Sequence, residues 1–332
     1  MNFQNITNLS LVTNELKIEE FIYSFLSSIG GLTSCINIIM FWNLKSLDKT
    51  YKFYLISSLV DLFYSFIVAF YSLYSCGSLC DSLNSNSLSK SIYMLVLDDY
   101  FTSCLAICNI FIELYLSTQR YLLIKKRKLV EKFKTCVIIS AIFTISLIYY
   151  SPILFIKKII KTKDDGYETI RTKFGETNLG STIPIILSCI RLILASFILL
   201  IINILTLFYF TKYMKKKIQI NGFESNLSGN QMETNSNVRP KEQRENKARK
   251  NVTLMVISIA FTYSFGTIPY AMYYGLSELL NTHNFFIDEV LSRIGRTGLR
   301  LLVIFKIVIF FNFNRIYHQS FKQALKKIFR IA

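Results

Sequence analysis

The chain has 332 residues, of which 52% are hydrophobic and 15% aromatic, and its formal net charge is +17. The apolar residues lie in blocks of about 20, the length that a helix needs to cross a bilayer, which excludes an ordinary soluble globular protein. The basic residues lie beside these blocks and not in a soluble domain. We therefore expect them to meet anionic inner-leaflet lipids of the bilayer, and we expect no nucleic acid as a partner.

The apolar blocks predict the fold class, an all-α membrane protein with a seven-transmembrane helix bundle over residues 20–313. Residues 1–19 are polar and are expected to form a segment outside the bundle. The seven blocks begin near Glu20, Lys52, Ser91, Lys134, Ser181, Asn251 and Ile287. The Walker, His-Glu-x-x-His and Gly-x-Ser-x-Gly motifs do not occur in the sequence, so we expect no enzyme, no catalytic residue, no metal site and no cofactor.

The distribution of Lys and Arg predicts the orientation of the chain. Most of these residues lie in segments that share one side of the membrane if there are seven spans, namely residues 43–54, 120–134 and 212–250 and those after Asn314. Since short basic loops stay in the cytoplasm, we expect an extracellular N-terminus and a cytoplasmic C-terminus in the plasma membrane. Asn5 and Asn8 each begin a glycosylation sequon, which agrees with an outside N-terminus.

Three segments outside the spans carry patterns of their own. Residues from about 218 to 243 are rich in Asn, Ser, Gly and Glu, which predicts a disordered cytoplasmic loop whose basic ends continue the flanking helices. The alternation around "YETIRTKF" in the second outer loop predicts a small hairpin. In residues 314–332 apolar side chains recur every three or four positions among lysines, which predicts a C-terminal amphipathic interfacial helix and a short tail.

The third span carries a line of polar side chains. At 100° per residue the following positions fall within about a quarter-turn of one another: Asp99, Thr102, Asn109, Glu113 and Arg120. Such a stripe is expected to face the interior of the bundle, because charged side chains are poorly tolerated against lipid. The alternative role for any one of them is a structural hydrogen bond between helices.

The outer half of the bundle is expected to hold charges of both signs. Arg293, Arg296 and Arg300 share one face of the seventh span, and the fifth span adds Arg191. We interpret these arginines and the outer end of the third span as the wall of a polar cavity open to the outside. The candidate ligand-binding residues are Asp98, Asp99, Thr102, Arg191, Arg296 and Arg300. The alternative is that these charges pair with one another and lock the bundle.

One charge lies deep within the seventh span. In the stretch "LRLLVIFKIVIFFNF" the interior residue Lys306 stands among large apolar side chains. A lysine at the centre of a membrane helix costs about 2.5 to 3.5 kcal/mol on insertion scales. Lys306 therefore needs a buried partner or a function, unless its side chain snorkels to the cytoplasmic interface.

Several motifs, in their order along the chain, resemble those of rhodopsin-like G-protein-coupled receptors. "LYLSTQRYLLI" resembles the Asp-Arg-Tyr signature at the inner end of the third span, with Gln119 in place of the acid and Arg120 and Tyr121 intact. "SSLVDLFYSF" is similar to the second span of that family, which places Asp61 at its sodium-binding aspartate. "FTYSFGTIPYAMYY" resembles the sixth span, with the proline kink at Pro269.

The sequence also departs from the family pattern. The Asn-Pro-x-x-Tyr motif of the seventh span corresponds to residues 306–310, where all three named residues are replaced. The cysteines of the usual outer disulfide are absent, and Arg249 replaces the sixth-span acid that would tether Arg120. The chain is identified as a divergent member, similar to invertebrate receptors that are peptide-receptor-like in sequence.

The resemblance implies a receptor that transduces binding of an extracellular ligand to heterotrimeric G proteins. Arg120 and Tyr121 would then form the G-protein coupling site, and Pro269 would be the hinge of the sixth span. The arginines favour a peptide or an anionic small molecule as the ligand. Two alternatives remain open: a divergent receptor that does not signal, because the Asn-Pro-x-x-Tyr motif is lost, and a transporter or channel that uses the intramembrane charges.

The resemblance also implies a partner for Lys306. The position that Lys306 takes packs in such receptors beside the Asp61 position and near that of Glu113. Asp61, Glu113 and Lys306 are therefore expected to form a buried charge cluster, in which the ammonium replaces the sodium ion as the resting-state clamp.

Overall fold

The fold was analysed in a computed structural model, which describes residues 3–75, 88–125, 134–162, 166–227, 251, 253–264, 266–269, 272 and 290–331. Arg249, which the resemblance places at the position of the sixth-span acid, falls outside these residues. So do residues 228–243 of the loop that is expected to be disordered.

Eight long helices make up most of the described chain. They are α1 (Phe3–Leu44), α2 (Lys49–Ser75), α3 (Leu88–Ile124), α4 (Thr135–Tyr150), α5 (Asn178–Leu192, Ile193–Ile198 and Leu199–Leu227), α6 (Thr253–Pro269), α7 (Ser292–Phe313) and α8 (Arg315–Ile331). Within α3 and α5 the segments Tyr93–Phe101 and Ile193–Ile198 are wound as π-helix. The structure therefore has the all-α membrane bundle that the apolar blocks predict.

Four of the described helices are long and apolar enough to cross a membrane by length and composition alone: Phe21–Leu44, Lys49–Tyr71, Leu88–Ile124 and Thr135–Ile156. Leu199–Tyr213 and Thr253–Pro269 are shorter apolar stretches. Large hydrophobic side chains such as Phe25, Phe66 and Phe208 point away from the bundle and are more than half exposed. An apolar exterior of this kind is what contact with lipid requires.

The helix α3 lies at the centre of the packing. It packs against α2, α4 and α5, whereas α1 packs against α2, α7 and α8. The helices α6 and α7 approach each other closely at two glycines, because a Cβ atom added to Gly266 would lie 3.1 Å from the carbonyl oxygen of Gly298. Small residues allow such close approach of membrane helices.

A short hairpin covers the N-terminal end of α3, which is predicted to face outside and is called the outer end below. The strands β1 (Lys157–Lys161) and β2 (Tyr167–Arg171) pair antiparallel, with Ile159 opposite Thr169. The predicted hairpin is confirmed, and its second strand lies in the predicted stretch. Ser91 on α3 donates a hydrogen bond of 3.2 Å to the carbonyl of Tyr167, which attaches the hairpin to the bundle.

The helix α8 is confirmed as an amphipathic helix and is docked on the opposite end of the bundle, which is predicted to face the cytoplasm and is called the inner end below. Asn314 caps it, since its Oδ1 accepts a hydrogen bond of 3.1 Å from the backbone N–H of Tyr317. Tyr317 is fully buried and its hydroxyl donates to Asn37 on α1 over 2.6 Å, whereas Lys322 and Lys326 are exposed. Burial raises the pKa of Tyr317, so its hydroxyl keeps the proton that it donates.

Two helices extend beyond the predicted spans. The helix α1 already begins at Phe3, so most of the 1–19 segment is helical. The helix α5 continues to Leu227, where a disordered loop is predicted from about residue 218. Both extensions continue the helix of an apolar span. Each added residue gains a hydrogen bond without the cost of starting a new helix.

Candidate functional site

The ammonium group of Lys306 lies against a carboxylate in the core of the bundle. Its Nζ is 2.6 Å from Oδ2 of Asp61 on α2, and both side chains are 3% exposed. Lys306 also donates to Oγ of Ser57 over 3.0 Å. The partner of the buried lysine is therefore Asp61, and the side chain does not extend to the cytoplasmic interface.

Asn109 on α3 closes a ring of hydrogen bonds around this ion pair. Ser57 donates to Oδ1 of Asn109 over 3.0 Å, and Nδ2 of Asn109 donates to Oδ1 of Asp61 over 2.7 Å. With the two bonds from Lys306, four side chains on three helices are joined in a closed ring. Sequence reasoning missed Ser57, because Ser58 also lies about one helical turn before Asp61 and the spacing does not distinguish the two serines.

The third member of the predicted charge cluster is close to the ring but is not bonded to it. Glu113 is fully buried, and among the described residues neither of its carboxylate oxygens has a hydrogen-bond partner. It lies within electrostatic range of both Lys306 and Asp61. The ring of Tyr263 on α6 faces Lys306 at 5.1 Å from Nζ, so the site connects α2, α3, α6 and α7.

At the inner end of α3, Arg120 is held by a hydroxyl group. Its Nη2 donates to Oγ1 of Thr50 on α2 over 2.7 Å. Asp48 fixes this threonine, because Oδ1 of Asp48 accepts hydrogen bonds from the Thr50 backbone N–H at 2.9 Å and from its hydroxyl at 3.0 Å. Asp48 is thus the N-cap of α2 and at the same time orients the group that binds Arg120.

Tyr121, next to Arg120, lies against α5. Its ring is 5.7 Å from that of Tyr209 in an edge-on arrangement. Lys125 places its Nζ 4.6 Å from the ring centre of Tyr121 and 4.4 Å from that of Tyr209. The inner end of α3 is therefore joined to α2 by Arg120 and to α5 by Tyr121.

At the outer end the acidic residues of α3 are occupied by nearby groups. Asp99 forms a salt bridge with Lys157 at the start of β1. The hydroxyl of Thr102 donates to the carbonyl of Leu97 in its own helix over 2.9 Å. Asp98 takes part in an interaction as well.

The arginines of α7 face α1. The guanidinium carbon of Arg300 lies 4.0 Å from the ring centre of Tyr23, and that of Arg296 lies 5.8 Å from the same ring. Arg293 pairs with Glu19 over 3.0 Å. The structure thus does not bring Arg300 and Asp99 together, since their contacts lie with α1 and with the hairpin respectively.

The remaining predicted site residues are separate from these groups. Arg191 on α5 lies near Tyr149 on α4. Pro269 is half-buried at the end of the described part of α6. The side chains of Asn5 and Asn8 lie outside what the structure describes, although both residues belong to α1.

The fold and site together define a membrane helix bundle with a buried ion pair and with an arginine at the inner end of its central helix. No family model matches the sequence, and no curated protein matches it. The structure is similar to the crystal structure of squid rhodopsin, with a TM-score of 0.67 and 13% sequence identity, covering 96% of this chain and 86% of that chain. The chain therefore has a rhodopsin-like fold.

Proposed function

We propose that this protein is a divergent G-protein-coupled receptor that transduces binding of an extracellular ligand to heterotrimeric G proteins. The observation that carries the proposal is the position of Arg120. It stands in an Arg-Tyr pair at the inner end of the central helix, in a fold similar to that of squid rhodopsin, and its contact across helices is a hydrogen bond to a neutral hydroxyl. We also propose that the N-terminus is extracellular and that the protein resides in the plasma membrane.

The mechanism that we propose is a shift between two arrangements of the bundle. A ligand favours whichever arrangement it binds better, and only this difference in affinity can move the equilibrium. Movement of α6 at Pro269, whose ring removes a backbone hydrogen bond, would open the inner end. Arg120 would then leave Thr50 and, with Tyr121, contact the G protein.

The core ring would hold the resting arrangement. Lys306 binds α7 to α2 through Asp61 and Ser57, and the whole ring is buried. When an ion pair is buried and hydrogen-bonded, removal of one partner costs several kcal/mol of stability. We therefore propose that the Asp61, Glu113 and Lys306 cluster is the clamp of the resting state, with the ammonium as its built-in cation.

The proposed ligand is a peptide or an anionic small molecule. Arg300 supports this, because it is 9% exposed and its Nε has no hydrogen-bond partner among the described residues. Guanidinium groups bind carboxylates through paired, charge-assisted hydrogen bonds. Candidate residues for the ligand site remain Asp98, Asp99, Thr102, Arg191, Arg296 and Arg300.

The test is guanine-nucleotide exchange on a panel of purified G proteins, using membranes that contain the wild-type protein, with and without peptide and metabolite fractions. Arg120→Ala should abolish the exchange that the wild type catalyses. The matched control Arg171→Ala removes an exposed arginine of the outer hairpin and should leave exchange unchanged. Exchange that persists in Arg120→Ala would contradict the proposed coupling site.

The same experiment separates the other functions. No exchange from well-expressed protein at the cell surface, under any fraction, would favour a receptor that does not signal. A transport current independent of G proteins would favour a transporter or channel that uses the intramembrane charges.

A further inference from the structure

Among the described residues, two carboxyl groups and one ammonium group lie together in the core of the bundle. Asp61 and Glu113 are 2% and 0% exposed, and Lys306, which is 2% exposed, is the basic group beside them. If all three were ionised, the site would carry one uncompensated negative charge. A buried charge without a partner costs several kcal/mol even after relaxation of its surroundings, and the surrounding bilayer offers it no water.

The hydrogen bonds divide the two carboxyl groups into one that is compensated and one that is not. Oδ2 of Asp61 accepts from Lys306, and Oδ1 accepts from Asn109. Both oxygens of Glu113 are buried without a partner among the described residues. An ionised carboxylate only accepts hydrogen bonds, so Asp61 has the partners that a charge needs and Glu113 does not.

We propose that Glu113 is a proton-binding site in the core of the bundle. In the arrangement described here it carries the proton and is neutral, while Asp61 is ionised and pairs with the Lys306 ammonium. The site then holds one anion and one cation, and its net charge is zero. The proposal concerns the protein itself and does not depend on whether the protein signals.

The other titratable groups around Glu113 do not take part in this balance. Those that interact electrostatically with Glu113 or Asp61 are Tyr54 on α2, Cys108 on α3, Tyr263 on α6 and Lys306 on α7. Tyrosine and cysteine side chains are acids that ordinarily stay protonated and neutral at neutral pH, and the Lys306 ammonium is the cation that the site already counts. The proton that matters is therefore shared between two carboxyl groups, and the hydrogen bonds place it on Glu113.

A consequence concerns Asp61, which Glu113 does not touch. If Asp61 is replaced by Asn, Lys306 loses its anionic partner, and Glu113 becomes the carboxyl group within electrostatic range of the ammonium. We expect Glu113 then to release its proton to water and to take over as the anion. Removing the charge of one residue should thus change the protonation of another.

The experiment is infrared spectroscopy of the purified full-length protein in phosphatidylcholine nanodiscs at neutral pH, in the carbonyl-stretching region of protonated carboxylic acids. The wild type should show a band that shifts on transfer to D₂O and shifts again when glutamate is labelled with ¹³C at its side-chain carboxyl. The band should be lost in Glu113→Gln and in Asp61→Asn. In Lys306→Met both carboxyl groups should be protonated, and a second band should appear.

Either of two results would overturn the proposal: no protonated-carboxyl band in the wild type, or a band that is insensitive to the glutamate label. The labelled wild type needs no substitution, so the test stands even if a variant fails to fold. A band that is lost in Glu113→Gln but keeps its full intensity in Asp61→Asn would show that the proton does not depend on the Lys306 ion pair.

Discussion

At the residue scale, the restraint on Arg120 comes from a neighbouring helix and from an uncharged group. Thr50 accepts its hydrogen bond, and Asp48 holds the Thr50 hydroxyl in place. A hydrogen bond to a charged group is worth about 1.5 to 3 kcal/mol, less than a buried ion pair costs to break. The proposed resting state is therefore held at its inner end by a weak contact that a single substitution can remove.

We predict that Thr50→Val raises ligand-independent nucleotide exchange. Valine keeps the shape of threonine but cannot accept the bond from Arg120, and a loss of about 1.4 kcal/mol shifts a two-state equilibrium tenfold. Thr50→Ser keeps the hydroxyl group and should return exchange toward the wild-type level. The measurement is basal exchange per receptor at the cell surface, and unchanged exchange in Thr50→Val would show that Thr50 does not restrain Arg120.

Lys306 and Asp61 allow a second prediction at this scale. Lys306→Met leaves Asp61 buried without its cation, and we expect a loss of stability of about 3 kcal/mol together with altered basal exchange or reduced surface expression. Asp61→Asn combined with Lys306→Met removes both charges and should be more stable than Lys306→Met alone. Thermal unfolding in detergent measures this. Lys158→Met, at an exposed lysine of the hairpin, is the matched control.

A result in which the double variant is no more stable than Lys306→Met would mean that the ion pair contributes no coupling energy. In that case Lys306 would act through packing of its stem alone.

Some of these contacts could be anticipated from the sequence and others could not. The partner of Lys306 follows from motif order, because "SSLVDLFYSF" places Asp61 at a known position of a known fold. Thr50 and Ser57 are ordinary small polar residues in helices rich in serine, threonine and tyrosine, and no spacing rule distinguishes them from their neighbours. Their roles depend on which helix faces which, and this is a property of the packed bundle.

The contacts of the outer arginines could not be predicted from the sequence either. Helical spacing correctly puts Arg293, Arg296 and Arg300 on one side of α7, but it does not determine which neighbour that side meets. In the structure Arg300 stacks on Tyr23 of α1, and Arg293 pairs with Glu19 of the same helix. These contacts are of the kind that the locking alternative requires.

At the scale of helices, the contact between α6 and α7 depends on two glycines. A Cβ atom at Gly298 would lie 3.2 Å from the carbonyl oxygen of Gly266 and 3.3 Å from its Cα, so both obstacles are backbone atoms. A helix backbone moves aside less easily than a side chain. The spacing of α6 from α7, and with it the distance of Tyr263 from Lys306, is therefore set by the absence of a side chain.

We predict opposite effects of the same substitution at two helical glycines. Gly298→Ala should lower the thermal unfolding midpoint, because overpacking costs about 1 to 3 kcal/mol and exceeds the gain in helix propensity. Gly31→Ala should raise it slightly, by about 0.5 to 1 kcal/mol, since its Cβ would lie 3.8 Å from Ser65 and 3.9 Å from Leu62, at ordinary contact distances. Equal effects at both sites would show that α6 and α7 are not in close contact.

At the scale of the whole molecule, the basic residues and the fold together give an orientation. The Arg120 end of α3 and the docked helix α8 are expected on the side where most Lys and Arg residues lie, and the hairpin and residues 1–19 on the other side. The orientation can be predicted from the sequence more reliably than any single contact. The excess of Lys and Arg on one side is summed over many residues, so an error in the bounds of one span changes it little.

The orientation can be tested with the sequons of the chain. Asn5 and Asn8 begin sequons on the side that is predicted to be outside, whereas Asn226 (Asn-Leu-Ser) and Asn251 (Asn-Val-Thr) begin sequons on the side that is predicted to be cytoplasmic. Because N-glycans are added only on the lumenal side of the secretory membranes, protein from animal cells should shift on treatment with peptide N-glycosidase. The shift should vanish in the Asn5→Gln and Asn8→Gln double variant and persist in Asn226→Gln. A shift that persists in the Asn5→Gln and Asn8→Gln double variant and disappears in an Asn226→Gln and Asn251→Gln double variant would reverse the orientation, and with it the assignment of Arg120 to the cytoplasmic side.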